Sequence, residues 1–284
     1  MDGNAKKDRE GRRIRRPFFL LRWIMAKENG YARWIIGMVM GMVYVYIFYE
    51  FLVAPIALRW RGVYGEDSFP EGYSIRGIDI SHHQGQINWD LLPKAKIGDE
   101  PVAFVFIKAT EGETLVDSRF AYNFKEAGNA GLIRGAYHFF SPSVSAQAQV
   151  AHFLNCVTLE PGDLPPVLDI ELTGRLSPDE LRRKALYWLR AMEKVYGVPP
   201  ILYTNYSFKQ KYLNTPEFDR YPYWIAHYYV KDLRYDGKWH FWQHTDNGYL
   251  KGINGDVDLN LFNGSFYGLN KLTIPDSVRP GSYR

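Results

Sequence analysis

The chain carries one cysteine, Cys156, in 284 residues. A lone thiol excludes an intramolecular disulfide framework and any metal site built on cysteines. The fold must therefore rest on its apolar core. No Gly-x-Gly-x-x-Gly follows the first strand-like run, which argues against dinucleotide binding. No nucleophile-elbow sequence is present, so a serine-based triad has no support. The adjacent His82-His83 lacks a third ligand at a typical spacing. No metal and no cofactor are expected. Internal repeats and low-complexity segments are also lacking, and no feature indicates an oligomeric state.

Basic charge is scarce outside the N-terminal tail. Residues 1–33 hold ten Lys/Arg and four Asp/Glu, and the rest of the chain holds 25 and 27. The body is thus slightly acidic, with no nucleic-acid footprint. Charge is nearly absent from 34–58, where Glu50 is the one ionised residue. As a helix, that stretch would rise roughly 37 Å, enough for a hydrocarbon core of about 30 Å. Arg12, Arg13, Arg15, Arg16, Arg22, Lys27 and Arg33 precede it. The positive-inside rule then predicts a cytoplasmic tail at 1–33, a transmembrane signal-anchor helix at 34–58 and an extracytoplasmic body. A linker is expected at 59–73.

The body alternates apolar strand-like runs with helical patterns. Strands are predicted at 75–80, 102–109, 132–139, 166–171, 200–204, 223–227, 240–243 and 257–259. Helices are predicted at 117–130, 143–157 and 177–196. The last opens on Ser177-Pro178-Asp179-Glu180, a capping box with Pro at the first helical position, and closes at Gly197. This alternation predicts an α/β fold with a parallel sheet, closed as a (β/α) barrel, with an open doubly wound sheet as the main alternative. The final crossovers are too short for full helices, so the barrel should be irregular.

Aromatic residues are plentiful, 16% of the chain with 21 Tyr and 8 Trp. They suit a site that stacks on sugar rings, as well as a large core. The most informative run is Pro166-Val167-Leu168-Asp169-Ile170-Glu171-Leu172. On a strand, Asp169 and Glu171 share a face while Leu168, Ile170 and Leu172 pack on the other. Two acids side by side in an apolar setting are costly unless used or paired, and their pKa values are driven apart. Other polar residues fall at strand ends: Asp79, Lys108 with Glu111, Tyr137, Tyr203, Trp242 with Gln243, and Asp258. Acids and aromatics at one end of a barrel make a carbohydrate-cleaving cleft. Taken singly, Asp79 could cap a turn, and Lys108 and Glu111 could form a rim ion pair.

These motifs resemble glycoside hydrolase family 25, the CH-type lysozymes. The resemblance begins at Gly77-Ile78-Asp79-Ile80-Ser81-His82-His83-Gln84-Gly85. It continues through Phe106-Ile107-Lys108-Ala109-Thr110-Glu111-Gly112, Gly135-Ala136-Tyr137-His138-Phe139 and Leu168-Asp169-Ile170-Glu171. Tyr203-Thr204-Asn205, Trp224-Ile225-Ala226-His227-Tyr228, Trp242-Gln243 and Val257-Asp258-Leu259-Asn260 complete the order. It implies a flattened, irregular TIM-like barrel over 74–268, followed by a C-terminal tail at 269–284. It implies a lysozyme acting on peptidoglycan glycan strands. The membrane is a second expected partner, through 34–58, a stretch outside the resemblance. By position Glu171 is the general acid/base and Asp169 its partner. Asp79 and Asp258 are further site carboxylates. Tyr137, Tyr203, Trp242, Gln243 and Lys108 would contact substrate. Retention of configuration follows from the resemblance; the Asp-x-Glu spacing alone leaves the stereochemistry open. The family often has Tyr where this chain has His244. A chitinase-like glycosidase and an inactive wall-binding protein are the alternatives.

Overall fold

The computed structural model describes residues 30–49 and 69–278. The chain divides into two compact units, Met1–Ala57 and Leu58–Arg284.

In the first unit, helix α1 spans Gly30–Phe48. Its residues from Trp34 onward are exposed and almost wholly apolar. Among the described residues, no helix is long and apolar enough to cross a membrane. The described apolar part, from Trp34 to Phe48, rises roughly 22 Å at about 1.5 Å per residue, against a hydrocarbon core of roughly 30 Å. The expected span of 34–58 is therefore described only in its first part; residues 50–58 lie outside the described residues, as does most of the expected linker.

The second unit is a closed eight-stranded barrel. Its strands are β1 (Ile75–Ile80), β2 (Glu100–Glu111), β3 (Ile133–Phe139), β4 (Val167–Asp169), β5 (Ile201–Asn205), β6 (Tyr223–Ala226), β7 (Phe241–Gly248) and β8 (Val257–Phe262). Neighbours from β1 through β7 pair in parallel. Strand β8 closes the ring antiparallel to both β7 and β1. This reversal departs from the all-parallel expectation. Only residues 249–256 join β7 to β8, and a parallel return needs a crossover of a dozen or more residues. Two-residue strands Lys96–Ile97 and Leu115–Val116 extend β2.

Period-two alternation sorts the side chains. Phe104, Phe106, Val167, Ile201, Trp224, Phe241 and Phe262 form one cluster, which fills the barrel. Their neighbours Val105, Ile107, Leu168, Leu202 and Ile225 turn outward and pack with the helices. Helices α2 (Phe120–Asn129), α3 (Ala146–Cys156) and α4 (Pro178–Tyr196) follow β2, β3 and β4. On α4, Leu181, Ala185, Trp188, Leu189, Met192 and Tyr196 recur at helical spacing and are buried. Its capping box forms as its sequence requires: the Ser177 side chain accepts from the Glu180 N–H, and the Glu180 carboxylate accepts from the Ser177 N–H at 2.9 Å. Gly197 closes it at φ 68°, a left-handed conformation that suits glycine. The final helix α5 (Phe266–Leu272) runs past residue 268, and Leu269 and Ile274 beyond it are buried.

Candidate active site

Strands β1 to β6 run toward the same end of the barrel, and polar side chains gather there. A cavity of about 240 Å³ opens at this end. Asp79, Lys108, Tyr137, Asp169, Glu171, Tyr203, Gln243 and Asp258 line it, as do Ser81, His83, Phe139, Trp224 and Tyr228.

The alternation that fills the barrel also aims these groups. Phe104 and Phe106 lead to Lys108 on β2; Val167 leads to Asp169 on β4; Ile201 leads to Tyr203 on β5; Phe241 leads to Gln243 on β7. Glu171 lies two residues beyond the end of β4 yet keeps the same face. Ile170 is fully buried behind the pair, whereas Leu172, expected to pack beside it, is half-exposed. Asp258 arrives from an unexpected direction. It stands at the start of β8, not at a strand's C-terminal end, and pairs in register with Asp79. The reversal of β8 brings its first residues to the cleft.

Trp242 is not in the cleft. It is fully buried on the other face of β7, where its Nε1 donates to the His227 carbonyl at 2.8 Å and its ring meets Tyr73, Trp239 and His244. Adjacent strand residues point to opposite faces, so Gln243 and Trp242 cannot both face the cavity. His244 shares the Trp242 face and is buried, so this departure from the family pattern leaves the cleft untouched. Trp224 supplies the indole instead. The same rule, applied along Trp224, Ala226 and Tyr228, was the signal for both missed aromatics. His82 and His83 lie in a 3-10 turn, not on a strand, and Asp117 accepts from His82 at 2.7 Å.

One hydrogen-bond network holds the floor. The Tyr203 and Tyr228 hydroxyls each donate to Gln243 Oε1 at 2.7 Å. Gln243 Nε2 and Asn260 Nδ2 each donate to Asp79 Oδ2 at 2.7 Å. Trp224 Nε1 donates to Asn260 Oδ1 at 2.7 Å. Asp79 is therefore an acceptor inside the barrel, not a turn cap. At the rim, Lys108 Nζ donates to Glu111 at 2.8 Å and sits 5.0 Å from the centre of the Phe139 ring.

Burial raises all four carboxyls. It pushes Asp79 up to about 6, against hydrogen bonds from Asn260 and Gln243 that favour its charged form. Burial and the charge of Asp79 push Asp258 up to about 9. The two are hydrogen-bonded, so Asp258 keeps the proton and Asp79 accepts it. Burial and then the charge of Glu171 hold Asp169 well above the carboxylate range, with Lys108 opposing. Burial raises Glu171 as well, and the Tyr203 hydroxyl partly offsets this. Asp169 Oδ1 is buried and accepts no hydrogen bond. Buried polar atoms are rarely left so. Two neighbouring carboxyls with raised proton affinity, one with an unpartnered oxygen and both walled by aromatic rings, can exchange a proton with a leaving oxygen and stabilise a developing cation.

Comparison with known proteins agrees with this geometry. Residues 78–253 match the description "Glycosyl hydrolases family 25". The chain is 47% identical over 197 residues to the YegX protein of Escherichia coli (strain K12), covering 69% of this chain and 72% of that protein. It is 36% identical over 210 residues to Lysozyme M1 of Streptomyces globisporus, covering 67% and 68%. Among solved structures, a bacterial lysozyme from Streptomyces coelicolor superposes with a TM-score of 0.66 at 33% identity, covering 73% of this chain and 100% of that one. A family 25 glycosyl hydrolase from Bacillus anthracis gives a TM-score of 0.65 at 30% identity, covering 74% and 100%. The chain belongs to glycoside hydrolase family 25, and its barrel is that of a glycoside hydrolase.

Proposed function

We propose that the barrel is a lysozyme that hydrolyses the β-1,4 bond between N-acetylmuramic acid and N-acetylglucosamine in peptidoglycan. The observation that carries this reading is the pair at the end of β4: Glu171 beside Asp169, two neighbouring carboxyls both raised by burial, with Asp169 Oδ1 unpartnered. Glu171 donates its proton to the glycosidic oxygen, and the neighbouring Tyr203 hydroxyl limits the rise that burial imposes on its pKa. Asp169 supports the oxocarbenium-like state, directly or by orienting the substrate N-acetyl group. Asp79 and Asp258, with one proton between them, hold the floor through Gln243 and Asn260. Tyr137, Tyr203, Trp224 and Tyr228 supply ring faces and hydroxyls to the sugars.

Release of reducing ends from purified peptidoglycan tests the reading. Glu171→Gln should lower the rate by about 10²–10⁴, the usual contribution of a general acid/base, with the thermal unfolding midpoint retained. Full activity in that variant would sink the assignment. The first-formed product should keep the β configuration, read by proton NMR before mutarotation. An α product would mean inversion.

We also propose that the chain attaches to a membrane through 34–58, with the barrel on the extracytoplasmic side. The exposed apolar run of α1 and the arginines before it support this. The full chain should pellet with membranes and resist extraction by high salt, while residues 58–284 stay soluble. Equal solubility of the two would remove the anchor from the account.

A further inference from the structure

The crossovers that follow β5 and β6 are the irregular ones. The first holds only short turns, Tyr206–Phe208, Lys209–Leu213 and Pro216–Phe218. The second, 227–240, has no helix or strand. Neither can cover the outer wall as α2, α3 and α4 do, and a groove of about 580 Å³ remains. That is within the roughly 300–1,000 Å³ usual for ligand sites.

The groove starts at the catalytic rim. Tyr206 follows the last residue of β5, and its ring stacks on His227 at 4.7 Å and 9°. The next residue, Tyr228, lines the catalytic cavity. Because β6 and β7 are parallel, the crossover at 227–240 leads from that rim to the opposite end of the barrel. The groove thus descends the outer wall beside it.

Its lining carries both signs of charge. Asp219, Asp236 and Lys238 line it and are exposed. None of the three has an ion-pair partner within 4.0 Å among the described residues. Behind the wall, Lys209 is fully buried, and its ammonium donates to Leu213 O and Asn214 Oδ1, each at 3.2 Å. Lysine can only donate, so the Asn214 carbonyl faces inward and its amide N–H groups are left for the groove. Lys238 and the Asn214 amide favour carboxylates, and Asp219 and Asp236 favour an ammonium group.

We infer that this groove binds the peptide stem of the substrate, a short acidic peptide with a free primary amine. The inference rests on the lysozyme reading, since a stem leaves the muramic acid sideways from a glycan lying in the cleft. It should act on KM, through contacts away from the reacting bond.

Two measurements test it with the full chain. The first compares kcat/KM on peptidoglycan with that on glycan strands stripped of peptides by an amidase. Two exposed charge contacts should favour the peptide-bearing form by about fivefold. Asp219→Asn with Asp236→Asn should remove the preference and leave the rate on stripped strands unchanged; Asp236→Glu should retain most of it. Equal rates on both substrates, or a variant that slows both alike, would overturn the groove. Cleavage of neither substrate would instead overturn the lysozyme reading. The second measurement needs no turnover: calorimetric binding of the disaccharide product with and without its tetrapeptide. Tighter binding of the peptide-bearing product, lost in the double variant, supports the groove; equal binding refutes it.

Discussion

Asp258 and Asp79 face each other across the β8–β1 register and hold one proton between them. This pairing has a consequence for stability. An unfolded Asp titrates near 3.9, whereas folded Asp258 titrates at about 9. Between those values the native state binds the extra proton, so the contribution to stability falls as pH rises from about 4 to about 9. Asp258→Asn removes the titration and keeps the shape and a donor. It should raise the unfolding temperature more at pH 8 than at pH 5. Equal gains at both pH values would mean that no proton is held there. The site thus opposes stability at neutral pH, as expected where acids are kept dry for chemistry. The aromatic residues show how far sequence order can be trusted at this scale. Trp242-Gln243 was legible as a site motif, but only one of two adjacent strand residues can face the cavity. Gln243 does, and Trp224 rather than Trp242 brings the indole.

Among the elements, α4 is the best specified by its own sequence. Its capping box, its Pro at the first helical position, its apolar stripe and Gly197 all agree. Ser177→Ala should cost about 1 kcal/mol in urea unfolding without changing catalysis, because the cap is exposed and does not line the cavity. A loss of activity at unchanged stability would contradict that separation. The strands were legible for the same local reason, since each run places apolar residues on a two-residue period. Their ends were less so. Strand β4 stops at Asp169, and Glu171 holds its place by loop geometry beyond the ladder. The Phe140 N–H donates to the Asp169 carbonyl, and the Ile170 N–H to that of Tyr203, which ties this exit to both neighbours.

At the scale of the molecule, closure of the barrel decides what the parts can do. Gly77 on β1 shows how closely the strands fit. A Cβ there would lie 2.5 Å from the Phe104 ring, which is itself wedged against Phe106 and Phe241 at 5.6 and 5.2 Å. Gly77→Ala should therefore destabilise the barrel by about 1–3 kcal/mol, the usual cost of overpacking, measured by chemical denaturation. An unchanged midpoint would mean that the interior yields. The reversal of β8 matters in the same way. It seals the sheet, removes its edges and carries Asp258 and Asn260 to Asp79.

The sequence by itself determined which side chains share a face. It therefore determined the pairing of Asp169 with Glu171, the inward row of aromatics and the capped helix, because strand and helix periods are local. It also showed that the last crossovers are short. Only the tertiary structure decided which faces meet. The direction of β8, the choice of Trp224 over Trp242 and the Tyr–Gln–Asp–Asn network depend on partners up to 181 residues apart. The raised carboxyls were likewise out of reach of pattern alone. Desolvation is a property of the closed cavity, and no short run of residues contains it.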